Sequence, residues 1–158
     1  MLDHIGYFGP IILALMNVYY LFYRKAYLYA YLFFLFVNQY INKGLKFLIK
    51  EPRPQNQIPF LTKIDTIGVE KYGMPSGHTQ SIFYSSTFLY LTTLSNYLLI
   101  ISLFFCAITI YQRYIYKRHT LKQLGIGSLI GIIVGTIIFN ITKHYIETKN
   151  SAYNKMYL

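Results

Sequence analysis

Residues 79–112 read TQSIFYSSTFLYLTTLSNYLLIISLFFCAITIYQ and contain no charged side chain. A helix needs about 20 apolar residues to cross the hydrocarbon core of a bilayer, so this run is long enough for two crossings. Ser95 and Asn96 lie near its middle and mark a turn. The run therefore predicts two membrane-spanning helices, over about residues 76–94 and about residues 97–111.

The apolar runs on the N-terminal side predict two further spans. Residues 5–23 form the first, and they follow Asp3 and His4 instead of a basic segment. Because no small-residue cleavage site is evident either, we expect a retained span rather than a signal peptide. Residues 26–42 form the second span, whose helix is expected to continue to Lys50. The prolines that follow exclude helical geometry and end it.

A fifth span is predicted over residues 121–143, and its glycines repeat every four residues. Gly127, Gly131 and Gly135 give this helix one smooth face. Such a face favours close packing against another helix, or against a second copy of the chain in a homodimer. The tail, residues 147–158, is polar and is expected to be loose.

The overall composition agrees with a membrane protein. Of the 158 residues, 54% are apolar and only 13% are charged, while soluble domains carry about 25% charged residues. A disordered chain and an ordinary soluble domain are therefore excluded. The predicted fold is an all-α integral membrane helical bundle of about five spans, with residues 1–146 as a single domain. The lone Cys106 can form no intrachain disulfide.

The predicted crossings place several features on one side of the membrane. They are the polar loop of residues 51–74, the helix ends that flank this loop, the end of span four and the start of span five. That face carries ten of the fifteen lysines and arginines. Cations between apolar runs are typical of residues that face headgroups or anionic ligands, so we expect a membrane partner and no nucleic acid. The orientation stays open, because phosphate-binding cations carry no topological information. The face holds Lys43, Lys46, Lys50, Arg53, Lys63, Lys71, Arg113, Lys117, Arg118 and Lys122, together with His78 and His119.

Three short motifs lie on this face, and the first joins Lys46 to Arg53 in the string KFLIKEPRP. A lysine near a helix end and an arginine stiffened by prolines can converge on one anion. The arginine fork suits the paired oxygens of a phosphate. The alternative is a pair of cations that snorkel beside a proline turn.

The second motif is Ser76, Gly77 and His78 in the string KYGMPSGHTQ. Ser76 is placed to cap the third span, so the backbone N–H groups from Gly77 onward and the positive end of the helix dipole can face an anion. His78 in the first turn is a candidate proton donor to the same site. The alternative is a plain helix cap with an incidental histidine.

The third motif is Arg113, His119 and Gln123 in the string QRYIYKRHTLKQ. Gln123 lies one helical turn after His119, within side-chain reach. A histidine can attack phosphorus if an acceptor holds its other ring nitrogen in one tautomer. The alternative is an interfacial histidine in contact with lipid headgroups, which is also how we interpret His4 and His144.

Together, the order KxxxxxxRP, PSGH and RxxxxxH resembles the signature of the type-2 phosphatidic acid phosphatase and vanadium haloperoxidase superfamily, over roughly residues 46–123. The resemblance implies that His119 is a nucleophile that forms a phosphohistidine and that His78 is the general acid. It also implies a reaction without metal or other cofactor. The phosphate-binding residues that it implies are Lys46, Arg53, Ser76, Gly77 and Arg113.

Two positions depart from the broad family pattern, which has Ser before the arginine and Asp four residues after the histidine. This chain has Gln112 and Gln123 there. The dolichyldiphosphatase branch is similar to this chain in having Gln at the second position, and in the strings EPRP and YGMPS with a following His. A diphosphate releases a phosphate monoester of pKa about 6, which needs less push than an alkoxide of pKa about 16. We therefore expect a neutral Gln123 to suffice in orienting His119.

The expected function is that of a membrane lipid diphosphatase that converts a dolichyl or other polyprenyl diphosphate to the monophosphate plus phosphate. Its site should open sideways toward the bilayer, because the isoprenoid tail stays in lipid. The dolichyl resemblance implies the endoplasmic reticulum membrane. Two alternatives stay open: a phosphatase for phosphatidate or another lipid monoester, and a catalytically inactive lipid-binding membrane protein. A vanadium peroxidase is the least favoured, since those relatives are large soluble proteins.

Overall fold

The computed structural model describes residues 1–61 and 67–156, with side chains as far as residue 152. This part of the chain is helical, with a short 3-10 turn at Gly68–Lys71 and an isolated bridge between Pro52 and Tyr72. The prediction of an all-α bundle of five helices is confirmed. The helices are α1 (Leu2–Leu21), α2 (Lys25–Ile49), α3 (Gly77–Thr93), α4 (Asn96–Ile115) and α5 (Leu121–Met156).

Helix α3 lies at the centre of the bundle and packs against the other four helices. Its buried face is largely polar, with Gln80 and Ser85 fully buried. Gln80 donates to the Asn38 carbonyl and side chain of α2, and the Tyr31 hydroxyl of α2 lies 2.8 Å from Ser85 Oγ. Surrounded by protein, α3 does not need the apolar composition of a lipid-facing helix. Among the described residues, α1, α4 and α5 are long and apolar enough to cross a membrane by themselves.

The glycine face of α5 packs against α3 within the same chain. Cβ atoms built at Gly127 and Gly131 would overlap Thr79 Oγ1 and the Gln80 carbonyl oxygen. The expected close helix packing is therefore confirmed. Because α3 covers this face, the face is not available to join two copies of the chain, and the homodimer itself stays a prediction.

The end of α5 also differs from the sequence-based expectation. The helix does not stop near Lys143 but continues to Met156, so the described part of the tail is helical rather than loose. No glycine or proline occurs between residues 144 and 156 to end it, and Lys143 pairs with Glu147 one turn later at 3.8 Å.

The loop after α2 is bonded to the helix ends that surround it. The Gly73 amide donates to the Glu51 carbonyl at 2.8 Å, and the Ile58 amide donates to the carbonyl of Tyr116, just past α4, at 3.0 Å. The Ser76 amide donates to the Gln123 carbonyl of α5 at 3.2 Å. These bonds bring the three motifs to one end of the bundle, as the crossing count predicted. Lys63, one of the ten predicted cations, lies outside the described residues.

Replacing Gly131 with leucine is expected to destabilise the bundle, because the new side chain would be forced into the backbone of α3 at Gln80 and Tyr84. Overpacking of this kind costs about 1–3 kcal/mol or more. Gly125→Ala is the matched control, because a Cβ there meets no atom within 4 Å and alanine favours a helix. Thermal unfolding in detergent should show a lower midpoint for Gly131→Leu only. Equal midpoints for the two variants would contradict the packing described here.

Candidate active site

The two cations of the first motif converge on one carboxylate. Lys46 lies in the last turn of α2 and Arg53 directly follows Pro52, and both side chains are almost completely buried. Lys46 Nζ lies 3.0 Å and Arg53 Nη2 3.3 Å from Glu70 Oε2, and Arg53 Nε donates to the Glu70 carbonyl at 2.8 Å. The sequence predicted that Lys46 and Arg53 converge on one anion, and in the structure both contact the same carboxylate oxygen of Glu70.

Glu70 is a site residue that the sequence reasoning missed. Burial opposes its ionisation, but the hydrogen bond and charge of Lys46 and the charge of Arg53 hold the pKa of this carboxyl below its usual range. The Glu70 carboxylate oxygen therefore accepts from the same donors that could bind a phosphate oxygen. The available signal in the sequence was weak: an acidic residue in the polar loop between two basic motifs.

The start of α3 lies in the wall of a cavity that is also lined by Lys46 and Arg53. Gly77 and His78 line this cavity. Ser76 is the N-cap residue, as predicted, but its side chain makes no capping bond, and its buried Oγ has no hydrogen-bond partner within residues 1–61 and 67–156. Ser76 does not line the cavity, so its predicted phosphate contact has no support from the geometry. The Tyr7 ring of α1 packs 5.5 Å from the His78 ring and 6.0 Å from Arg113 Cζ.

His119 lies just before α5 and is held by two acceptors. Its Nδ1 is 2.9 Å from the Gly73 carbonyl oxygen and 3.3 Å from Gln123 Oε1. Gln123 Nε2 donates to Glu51 Oε1 at 2.9 Å and to the Pro52 carbonyl at 2.8 Å, so the amide oxygen must face the histidine. With acceptors on that side, Nδ1 carries the proton and Nε2 keeps its lone pair.

The surroundings of His119 favour the neutral imidazole. Its side chain is buried, and burial together with the charges of Arg53, Arg113 and Lys46 holds its pKa well below the usual value. A neutral ring with a fixed tautomer is the form that can attack an electrophile. The role proposed for Gln123 is thus geometrically possible, although the Gly73 carbonyl is the nearer acceptor.

Gly73 itself was not singled out as a site residue. A Cβ at this position would overlap the side-chain amide of Gln123, so a larger residue would displace either Gln123 or the carbonyl that contacts His119. The string YGMPS carried this residue, but the string alone did not show which neighbour it must accommodate.

The cavity has a volume of about 810 Å³ and two chemically different ends. One end holds the polar groups already described, with Lys46, Arg53, His78, Arg113 and His119 in its wall. The other extends between α1 and α2, and its wall is mostly apolar. That end is lined by Pro10, Ile11, Ala14, Leu15 and Val18 of α1 and by Leu32, Leu35 and Phe36 of α2.

Potential metal ligands do not cluster in the part of the chain that the structure describes. Within residues 1–61 and 67–156, no group of three or more His, Cys, Asp or Glu side chains is arranged to hold an ion. The polar end of the cavity is instead lined mostly by cations and histidines.

Known proteins are similar to this chain in sequence and in fold. Residues 27–147 match the family model of the PAP2 superfamily. Dolichyldiphosphatase 1 of Dictyostelium discoideum is 35% identical over 121 residues, 70% of this chain and 50% of that protein, so the chain spans about half the length of this curated relative. The fold is similar to the crystal structure of a transmembrane PAP2 type phosphatidylglycerolphosphate phosphatase from Bacillus subtilis, with a TM-score of 0.61, 20% identity, and coverage of 93% of this chain and 74% of that one. Because the family match spans more than half of the chain and contains all three motifs, the chain belongs to the PAP2 superfamily, as an integral membrane protein of that family.

Proposed function

We propose that the protein is a membrane lipid diphosphatase that hydrolyses a polyprenyl diphosphate, of dolichyl type, to the monophosphate plus phosphate. The observation that carries the proposal is that one cavity has both a cationic end, which contains His119, and an apolar end, which lies between α1 and α2. An amphiphile with a phosphorylated head and a long apolar tail matches both ends. The similarity to a dolichyldiphosphatase supports this substrate class and an endoplasmic reticulum membrane.

In the proposed reaction, Lys46, Arg53 and Arg113 bind the oxygens of the terminal phosphoryl group, together with backbone N–H groups at the start of α3. His119 Nε2 attacks the terminal phosphorus, and the bond from that phosphorus to the bridging oxygen breaks. The electron pair leaves with the lipid monophosphate, which His78 protonates if required. Water then attacks the phosphohistidine and releases phosphate. The cations neutralise the charge that spreads over the transferring group, which is where such sites gain most of their rate.

The environment of His119 fits a good leaving group. Its Nδ1 faces two neutral acceptors, the Gly73 carbonyl and Gln123 Oε1, rather than a carboxylate. Such acceptors fix the tautomer but raise the basicity of the ring less than a carboxylate does. A diphosphate, whose leaving group is a phosphate monoester, demands less of the nucleophile than a lipid monoester. We therefore expect the diphosphate to be hydrolysed faster than phosphatidate.

Phosphate release by the purified protein in detergent, with a chelator present, tests this function. A polyprenyl diphosphate, a polyprenyl monophosphate and phosphatidate are compared at equal concentration. We expect the diphosphate to have a kcat/KM at least about tenfold above the other two, since each tenfold step corresponds to about 1.4 kcal/mol in the barrier. Activity on the monoesters alone would replace the proposal with a general lipid phosphatase. The absence of release from all three would leave an inactive lipid-binding protein.

A further inference from the structure

Glu51 is connected to both acceptors of His119. Its side chain accepts from Gln123 Nε2 at 2.9 Å, and its backbone carbonyl accepts from the Gly73 amide at 2.8 Å. Gln123 and Gly73 are the residues whose oxygens contact His119 Nδ1. One residue at the start of the loop thus holds both supports of the candidate nucleophile.

We propose that Glu51 is a positioning residue that fixes the amide orientation of Gln123 and, through it, the tautomer of His119. This inference rests on the proposed function, because it assigns Glu51 a part in the same reaction. Glu51 does not line the cavity, so it acts through Gln123 and not on the substrate.

The physical reason is that the two ends of a glutamine amide have similar shapes but opposite hydrogen-bonding roles. If the amide rotated by 180°, its NH2 group would face His119 Nδ1 and compete with the Gly73 carbonyl, so part of the protein would carry the ring proton on Nε2. That tautomer has no lone pair on Nε2, the nitrogen that would attack phosphorus. Glu51 Oε1 and the Pro52 carbonyl oppose this rotation, since both would then face the amide oxygen.

The charge of Glu51 makes it an acceptor only. The hydrogen bond from Gln123 and the hydrogen bond and charge of Lys122 hold the pKa of its carboxyl below the usual range. Lys122 Nζ lies 3.0 Å from Glu51 Oε2, on the exposed side of the pair. An ionised carboxylate cannot donate to the Gln123 oxygen, whereas a protonated one could.

The test compares Glu51→Ala with the matched control Lys122→Ala, which removes the exposed ion pair but keeps the acceptor. For Glu51→Ala we expect kcat on a polyprenyl diphosphate to fall about 10- to 100-fold, by analogy with the loss of a residue that orients a metal-ligating histidine. KM should change less than about threefold, because the phosphate donors are untouched. Lys122→Ala should stay within about threefold of the wild type in both constants.

If Glu51→Ala does not fold, exchanging the side chains of Glu51 and Gln123 tests the same proposal. Gln123→Glu places a second carboxylate against Glu51 and the Pro52 carbonyl, so kcat should fall. Adding Glu51→Gln relieves that repulsion and should recover at least about tenfold in kcat. A carboxylate in direct contact with His119 raises its pKa, so the acidic limb of the pH–rate profile should move to higher pH in the double variant. No recovery would overturn the proposal.

A readout without substrate separates this inference from the proposed function. Nitrogen NMR of 15N-histidine-labelled protein should show the Nδ1-protonated tautomer of His119 in the wild type and a mixture with the Nε2-protonated form in Glu51→Ala. An unchanged tautomer together with an unchanged kcat would overturn the role of Glu51. A wild-type protein that releases no phosphate would overturn the function, while the NMR comparison would still decide the role of Glu51.

Discussion

Replacing His119 with alanine is expected to lower phosphate release from a polyprenyl diphosphate by at least about 10³-fold, since loss of a nucleophile typically costs 10³ or more in kcat. The structure leaves Nε2 of this buried ring as its basic nitrogen, in the wall of the cationic cavity. The alanine variant keeps the cations and the apolar end of the cavity, so the substrate should still bind. Steady-state release in detergent and equilibrium binding of a radiolabelled polyprenyl diphosphate measure the two effects separately.

His144→Ala is the matched control for this variant, because His144 is an exposed histidine far along α5. Its release rate should equal that of the wild type within about twofold. A direct check uses substrate labelled with 32P in the terminal phosphoryl group and rapid quenching. The label should remain on the wild-type protein in an acid-labile, base-stable form and be absent from His119→Ala. Label retained by the alanine variant would identify a different nucleophile.

Much of the fold was predictable because a bilayer restricts the choices. Uncharged runs of sufficient length must be helices, and Ser95 marked the turn between α3 and α4, where its side chain accepts from the Leu98 amide. The interior position of α3 was not predictable, because a polar helix such as this one resembles a weak span until its neighbours are known. The length of α5 was also missed, since polarity indicates where a helix leaves the membrane but not where it ends.

The candidate site also has one part that the sequence predicted and one part that it did not. Five predicted residues lie on three motifs with fixed spacing, and the structure brings them into one cavity. They are Lys46, Arg53, Arg113, His78 and His119. The Gly73 carbonyl and Glu70 could not be identified, because backbone acceptors carry no sequence signal and an acidic residue next to cations has many possible partners. Glu51 was visible in the string EPRP, but its contact with Gln123 depends on a loop that folds back onto α5.

Replacing Arg53 with alanine is expected to lower kcat/KM for a polyprenyl diphosphate by about 10²- to 10³-fold, the effect of removing one strong donor to a transition-state oxyanion. Two nitrogens of Arg53 contact Glu70, so the guanidinium supplies a fork of donors beside Lys46. In the variant, the charge of Glu70 is left against that of Lys46 at 3.0 Å, and this pair has no net positive charge. The measurement is phosphate release at substrate concentrations below KM.

Lys71→Ala controls for the loss of a positive charge from this face, because Lys71 is exposed and adjacent to Glu70. It should change kcat/KM less than about threefold, since an exposed charge is well screened. Adding Glu70→Gln to Arg53→Ala removes the carboxylate that competes with phosphate for Lys46, and it should recover about tenfold. If Arg53→Ala and Lys71→Ala had equal effects, general surface charge rather than a built phosphate site would explain the cations. If Glu70→Gln gave no recovery, the Glu70 carboxylate would not be competing with the substrate for Lys46.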